Sequence, residues 1–427
     1  MVPAPKASAS QALASQELDC RGGFQTRPYR PDLSAVVPSH EPPKSQSPGG
    51  SGFTLRLKIF YAALFITLGV QLPFLPVWFA ARSLDASEIG LALAIPMLVR
   101  ALAIPVATRV ADRHDALRAV IVTLTATGLA GYCVLGLAAG FTMITAAYAL
   151  ASAAYAPVMM LTDAYALRGL ARRGRTYGPV RLWGSAAFIV ASFGAGLLLD
   201  VLAPGDLIWL IVAAMGLATI ASLGLSPIDS RKRPATAVAG SARALWRDPA
   251  FIAVVVAASF VQSSHALYYG FSTIDWQTSG FDGSTIGALW ALGVIAEIAL
   301  FAVSGRLPAT ITPTALLLGG AVGAVVRWIA MGLSPPAAML PLLQCLHGLS
   351  FGATHLGALA FVVRAAPEGL GATAQGYLSV ALGLAMAAAT GLAGLLYEQY
   401  GAAAYGFMAI GALMGAASAL VAHRLRR

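Results

Sequence analysis

Residues Ile286–Val303 read IGALWALGVIAEIALFAV, eighteen residues that are apolar except for one glutamate, Glu297. A run of this length is what a helix needs to cross the ~30 Å hydrocarbon core of a bilayer. A charge at the centre of such a helix costs about 2.5–3.5 kcal/mol. The stretch therefore raises two questions at once: whether the whole chain is built of such spans, and what the carboxylate is for.

Composition answers the first. The chain has 427 residues, of which 58% are hydrophobic and only 11% charged. A soluble domain is about half apolar and about a quarter charged, so a soluble globular fold is excluded. The excess falls into twelve apolar segments, centred near Phe65, Pro96, Leu129, Ser152, Ala191, Ala214, Phe260, Gly293, Val322, Gly348, Leu384 and Gly411. Helices are the natural form, because each then satisfies its own backbone polar groups in lipid. An all-α polytopic membrane protein is expected. Cys20, Cys133 and Cys345 form no pairing pattern, so neither a disulfide nor a metal site is expected, and no motif asks for a cofactor.

Charge placement orients the spans. One side carries Arg109, Arg113, Arg118, Arg168, Arg172, Arg173, Arg175, the basic loop around Arg231–Arg247, Arg306, Arg364 and Arg424–Arg427, whereas the other carries only Arg82. Lys and Arg collect on cytoplasmic loops. Both termini are thus expected inside, and the +10 net charge is explained by the membrane rather than by nucleic acid. Residues 1–52, rich in Pro, Ser, Ala and Gly and without an apolar run, read as a disordered cytoplasmic tail. The long polar stretch 226–250 separates six spans (53–225) from six more (251–427). Two six-helix halves joined by a basic loop point to a secondary transporter with its site at the midplane between the halves. The expected working unit is a monomer in the bilayer.

Ionisable residues inside spans usually face a cavity and find partners. They are Arg100 (second span), Asp163 (fourth), Arg181 (start of the fifth), Glu297 (eighth) and Arg327 (ninth). Glu297 and Arg327, on consecutive spans, are the expected ion pair. Arg181 reads either as a cavity residue or as part of the basic loop. The tenth span places Gln344, His347, Gly348, Phe351 and His355 on one helical stripe, and the seventh does the same with Gln262, His265, Tyr269 and Ser272. Against lipid these groups would lack partners, so they are expected to line a shared polar cavity.

The sequence GLSFG, Gly348–Gly352, fits the G-x-S-x-G nucleophile elbow. That motif works by exposing a serine on a strand-to-helix turn. Here it lies mid-span, and an intramembrane hydrolase is rejected.

These residues resemble the major facilitator superfamily and, within it, the phenylpropionate permease family, relatives of lactose permease. The resemblance runs from about Leu55 to Leu425 and rests on LTDAYA (Leu161–Ala166), YGPVRLWGS (Tyr177–Ser185), HALYYGFSTIDWQTSG (His265–Gly280), IGALWALGVIAE (Ile286–Glu297), VVRW (Val325–Trp328), LQCLHG (Leu343–Gly348) and THLGAL (Thr354–Leu359). The superfamily's loop motif is degenerate in TRVADRHDALR, which keeps Asp112 and Arg113 without the glycines. In lactose permease a helix-4 glutamate and a helix-5 arginine eighteen residues later bind the sugar; Asp163 and Arg181 share that spacing. By the same resemblance Glu297, Arg327 and His347 match its glutamate, arginine and histidine of helices 8, 9 and 10. Its helix-10 lysine and proton-carrying glutamate are replaced by Gln344 and Ser350, and its helix-7 acids roughly by Ser264 and His265. The proton must therefore ride on another side chain, and a sugar is a poor expectation.

The sequence thus leads to a proton-coupled importer of a small organic solute, with an aromatic carboxylate such as phenylpropionate implied by the resemblance. Asp163, Arg181, Arg327, His265, Tyr269 and Gln344 are the candidate substrate-binding residues, and Glu297 and His347 the candidate proton carriers. Tyr268, Tyr269 and Trp276 would suit an aryl ring. An exporter or an uncoupled facilitator of the same fold, for a sugar, nucleoside or drug-like solute, is the alternative.

Overall fold

The computed structural model of the chain describes residues 50–228, 242–308, 310–367 and 370–426. Nearly all of the expected tail and the middle of the expected 226–250 loop lie outside these residues. The first helix is already formed at Gly50. Among the described residues there is no strand.

Twelve helical spans follow in order: α1 (Gly50–Ala81), α2 (Ala86–His114), α3 (Leu117–Leu137), α4 (Phe141–Ala171), α5 (Gly178–Leu199), α6 (Leu207–Leu223), α7 (Pro249–Thr278), α8 (Gly283–Ser304), α9 (Pro313–Gly332), α10 (Ala337–Ala365), α11 (Gly371–Tyr400) and α12 (Tyr405–Leu425). By length and hydropathy alone the last two read as one apolar run, Gly371–Leu425. Gly401, at φ +54°, breaks that run, because this region of φ is open to glycine and costly for other residues. The chain crosses twelve times, as the sequence led us to expect.

Helix starts are written locally. Asp85 caps α2, accepting from the Glu88 amide at 2.8 Å while the Glu88 side chain returns to the Asp85 amide at 3.2 Å. Asp282 caps α8 through the Thr285 amide at 2.8 Å, and Thr312 caps α9 through Ala315 at 3.1 Å.

Two spans are interrupted mid-membrane. In α7 the run Ser263–Ser264–His265 turns its side chains back on the helix: Ser264 Oγ donates to the Val261 carbonyl at 2.6 Å, and His265 Nδ1 lies 3.1 Å from the same oxygen. Side chains that bond back in this way bend a helix, and α7 breaks between Ser263 and Ala266. In α10, Gly348–Ala353 forms a π-helical turn, a feature that often marks functional sites. Both breaks fall on the polar stripes of the sequence.

The two halves meet at one end. At the end opposite the arginine-rich loops, α5 crosses α8 where Gly196, Gly283 and Gly287 let backbones touch: a methyl on Gly196 would stand 2.3 Å from the Gly283 carbonyl oxygen. The Asp200 carboxylate accepts from the Gly283 and Ser284 amides at 2.5 and 3.1 Å, so one half caps the first turn of a helix of the other. α2 crosses α11 in the same way at Gly90 and Gly394. Toward the basic end the walls part. α8 has no buried residue beyond Gly293, and α2 has none between Pro96 and Ala111. The space between the halves therefore opens on the arginine-rich face.

This asymmetry is testable by crosslinking. A Cβ on Gly391 would lie 3.7 Å from that of Ala94, within the span of a disulfide. Ala94→Cys with Gly391→Cys, in a background without the native cysteines, should crosslink rapidly. Adding Gly394→Leu places a side chain 2.5 Å from the Ala86 carbonyl oxygen, which cannot swing away. Crosslinking should then fall; an unchanged rate would contradict the closed contact.

Candidate functional site

Arg327 is the centre of the C-terminal half's polar core. Its side chain is fully buried, with Cζ 4.6 Å from the Tyr268 ring centre and 4.7 Å from that of Trp328. Nη2 donates to Gln344 Oε1 at 2.8 Å, and Nη1 to His347 Nδ1 at 2.9 Å and Ser350 Oγ at 3.4 Å. Accepting that bond leaves His347 with its proton on Nε2. Ser350 Oγ lies 3.1 Å from His265 Nε2. Because His265 Nδ1 faces the Val261 carbonyl, its Nε2 is the acceptor and Ser350 donates. The relay Arg327→Ser350→His265→Val261 thus ties α9, α10 and α7 together at the α7 break.

The expected Glu297–Arg327 ion pair is not formed. Among the described residues the ion pairs within 4 Å are Arg168–Asp112 and Arg426–Asp248, both on the basic face. Two geometric facts account for this. The Arg327 donors are taken by neutral acceptors on α10, and its faces by aromatic rings. Glu297 lies on the cavity side of α8, packed against Gly352 of α10, whose Cβ position is 3.5 Å from Glu297 Cγ. Glu297 is partly exposed and makes no hydrogen bond. Its electrostatic neighbours are Arg181 on α5 of the other half and Tyr269 on α7.

Asp163 and Arg181, which the resemblance sets side by side as substrate-binding residues, make no direct contact either. Asp163 Oδ1 accepts from Tyr61 Oη at 2.6 Å and from Tyr177 Oη at 2.8 Å. Arg181 instead lies over the Phe65 ring at 4.0 Å and, farther off, over that of Tyr61 at 6.0 Å. The carboxylate and guanidinium share a neighbourhood through Tyr61 without touching.

The structure thus brings Arg327, Gln344, His347 and His265 into one network, sets Tyr269 against His265 and Trp290 (ring centres 5.8 and 6.2 Å), and leaves Glu297, Asp163 and Arg181 around the space between the halves. His355 stacks on Phe351 at 6.1 Å outside this network. Two buried donors, Arg327 Nε and Gln344 Nε2, have no acceptor. Sequence reasoning missed Tyr61, Tyr177, Trp290 and Trp328. The indoles have clear tasks, Trp328 donating to Ser264 Oγ at 2.8 Å and Trp290 to Thr273 Oγ1 at 3.0 Å. Trp328 had a signal, an aromatic beside a polar span residue in the quoted VVRW; Trp290, between Leu289 and Ala291, had none. Ser350 is enclosed within a membrane helix, as the rejection of a nucleophile elbow requires.

A family model described as "MFS_1 like family" matches residues 54–409. The chain is 33% identical, over 84% of its length and 95% of the relative's, to a "Probable 3-phenylpropionic acid transporter" of Escherichia coli (strain K12). It is 27% identical, over 84% and 91% of the two chains, to a maltose permease of Geobacillus stearothermophilus. The solved structure of the nucleoside transporter NupG superposes with a TM-score of 0.75 at 18% identity, covering 88% of this chain and 99% of that one. A bacterial homologue of the human lysosomal transporter Spinster, inward-facing and unoccupied, gives a TM-score of 0.66 at 15% identity, over 89% and 98%. The chain belongs to the MFS_1 like family and is a multi-pass membrane transporter of the major facilitator type rather than an enzyme.

Two outcomes follow from the geometry. Arg327→Lys keeps the charge but cannot bridge Gln344 and His347 as a planar fork, so it should lower stability in detergent by about 1–3 kcal/mol, read by thermal denaturation. For the N-terminal half, Asp163→Asn and Tyr61→Phe should combine non-additively. Asp163→Asn and Arg181→Gln should couple more weakly than that pair, since they meet only through Tyr61.

Proposed function

We propose that this chain is a proton-coupled symporter that imports a small aromatic carboxylate, with 3-phenylpropionate as the leading candidate. The observation that carries the reading is Glu297: a carboxylate inside a membrane span, on the face between the halves, without a hydrogen bond or an ion pair. Such a group is tolerated only where water or a proton reaches it. The relative named as a probable 3-phenylpropionic acid transporter supports the substrate class. So does Arg100, a span cation without an ion pair among the described residues. The rings of Tyr268, Tyr269 and Trp290 supply an aromatic wall.

In this scheme the arginine-rich face is cytoplasmic, the protein lies in the bacterial inner membrane with both termini inside, and the cavity opens inward. Glu297 carries the proton, and His347 relays it when Arg327 releases Nδ1, which then accepts a proton while Nε2 gives one up. Arg181 is the counter-charge across the halves. Bringing a cation close favours the ionised carboxylate, and withdrawing it favours the protonated one, so rocking of the halves takes up and releases the proton. Arg327, His265 and Gln344 set the shape of the C-terminal wall, Tyr269 faces the solute, and Asp163 fixes Tyr61 and Tyr177 in the opposite wall. The working unit is a monomer.

Glu297→Gln is a permanent mimic of the protonated form. In proteoliposomes it should abolish uphill uptake of 3-phenylpropionate driven by a pH gradient and spare counterflow, since exchange needs no net proton release. Normal uphill uptake by Glu297→Gln would remove Glu297 as the proton carrier. Loss of counterflow as well would move it into substrate binding.

A further inference from the structure

Of the five ionisable residues singled out in the sequence, Arg100 is the one that the networks above leave out. It stands in the middle of α2 at an insertion cost of about 2.5–3.5 kcal/mol, and it makes no hydrogen bond and no ion pair among the described residues. An arginine so placed must face water or a ligand.

The register of α2 shows which way it faces. The Ala86 carbonyl oxygen and Gly90 Cα lie 2.5 and 2.9 Å from a Cβ on Gly394 of α11, Leu93 Cδ1 lies 3.5 Å from one on Gly270 of α7, and Met97 Sδ lies 3.8 Å from Thr390 Oγ1. Residues 86, 90, 93 and 97 are thus one stripe turned to the other half. The next step of that stripe, three residues on, is Arg100. It comes where burial of α2 ends, so it stands at the closed end of the space between the halves, partly exposed.

Its surroundings offer donors rather than a counter-ion. The Arg100 charge acts on the Tyr132 hydroxyl. Gln71 Nε2 donates to Tyr132 Oη at 2.7 Å and to Tyr148 Oη at 3.2 Å. Each hydroxyl accepts there and so keeps its own proton to give. A guanidinium without an ion pair, whose charge reaches one hydroxyl of a tyrosine pair joined by Gln71, is the chemistry of an anion site. The other arginines fit this role less well: Arg327 is enclosed with its end donors engaged, and Arg181 is the neighbour of Glu297. Leu93 touches α7 next to Tyr269, and Arg100 follows seven residues later, roughly 10 Å along the helix.

We propose that Arg100 is the residue that takes the substrate's carboxylate, assisted by the Tyr132 and Tyr148 hydroxyls that Gln71 orients. The assignment rests on the aromatic-carboxylate reading above.

The test compares 3-phenylpropionate with its neutral amide, 3-phenylpropanamide, by calorimetry on the protein in nanodiscs. The wild type should prefer the acid. Arg100→Gln removes a charge from a membrane helix, so insertion should be no harder. It should weaken acid binding about 10- to 100-fold, the range for a hydrogen bond to a charged group, and leave the amide unchanged. Arg100→Lys should fall between, and it carries the test if Arg100→Gln is not recovered folded. A preference for the acid that persists at wild-type strength in both variants overturns the subsite alone. A wild type with no preference for the acid overturns the anion reading and the subsite together.

Discussion

The C-terminal half is organised by the way a buried guanidinium is satisfied without a carboxylate. Arg327 gives its end hydrogens to an amide oxygen, an imidazole nitrogen and a hydroxyl, and its faces to Tyr268 and Trp328. A buried ion pair would also have satisfied it, but breaking such a pair exposes two uncompensated charges. Neutral acceptors hold the charge at one site permanently. That is why α7 and α10 break where they do. Ser350 and His347 reach Arg327 from α10, which packs on α8 at Gly348 and Gly352, where a side chain would meet Ala296 and Leu300, and His265 of α7 joins through Ser350.

Because Arg327 does not use it, Glu297 is left without a direct partner and with only the Arg181 charge across the divide, and this is where the fold and the chemistry meet. The same α8 that carries Glu297 begins at the glycine contact with α5 and ends among exposed residues on the basic face. Its first turn is clamped by Asp200, and its last turns border the opening. A rigid clamp at one end and free walls at the other are the geometry of a rocker whose pivot lies near the closed contact.

The sequence was most legible where chemistry leaves no alternative. Apolar runs of bilayer length gave the spans, the arginine count on alternate loops gave two kinds of end, and the stripes of α7 and α10 gave the network partners Gln344, His347 and His265. The pairings failed. Opposite charges on consecutive helices are natural partners only if nothing neutral can reach them first, and register decides that. At Asp163 two tyrosines arrive before Arg181; at Arg327 the acceptors on α10 arrive before Glu297. Tyrosine carries little signal for such a role, since Tyr61 and Tyr177 read equally well as packing residues or interfacial anchors. Arg100 was visible from the start as an anomaly, but its direction depends on which face of α2 meets α11. That face is set by Gly90 and Gly394, glycines with no mark to separate them from the many others in the chain.

Both halves thus follow one rule. Each surrounds a charged side chain with neutral hydrogen-bond partners of its own, the part-buried Asp163 with Tyr61 and Tyr177, the buried Arg327 with Gln344, His347 and Ser350. Neither ion depends on a partner in the opposite half, so the halves can move as bodies without breaking an ion pair at each cycle. Among the described span residues, the opposite charges set against each other across the divide are those of Arg181 and Glu297. Coulomb energy between such groups varies steeply with separation where water is excluded. A change in the angle between the halves is therefore delivered mainly to one carboxylate, which is what coupling a conformational cycle to a single proton requires.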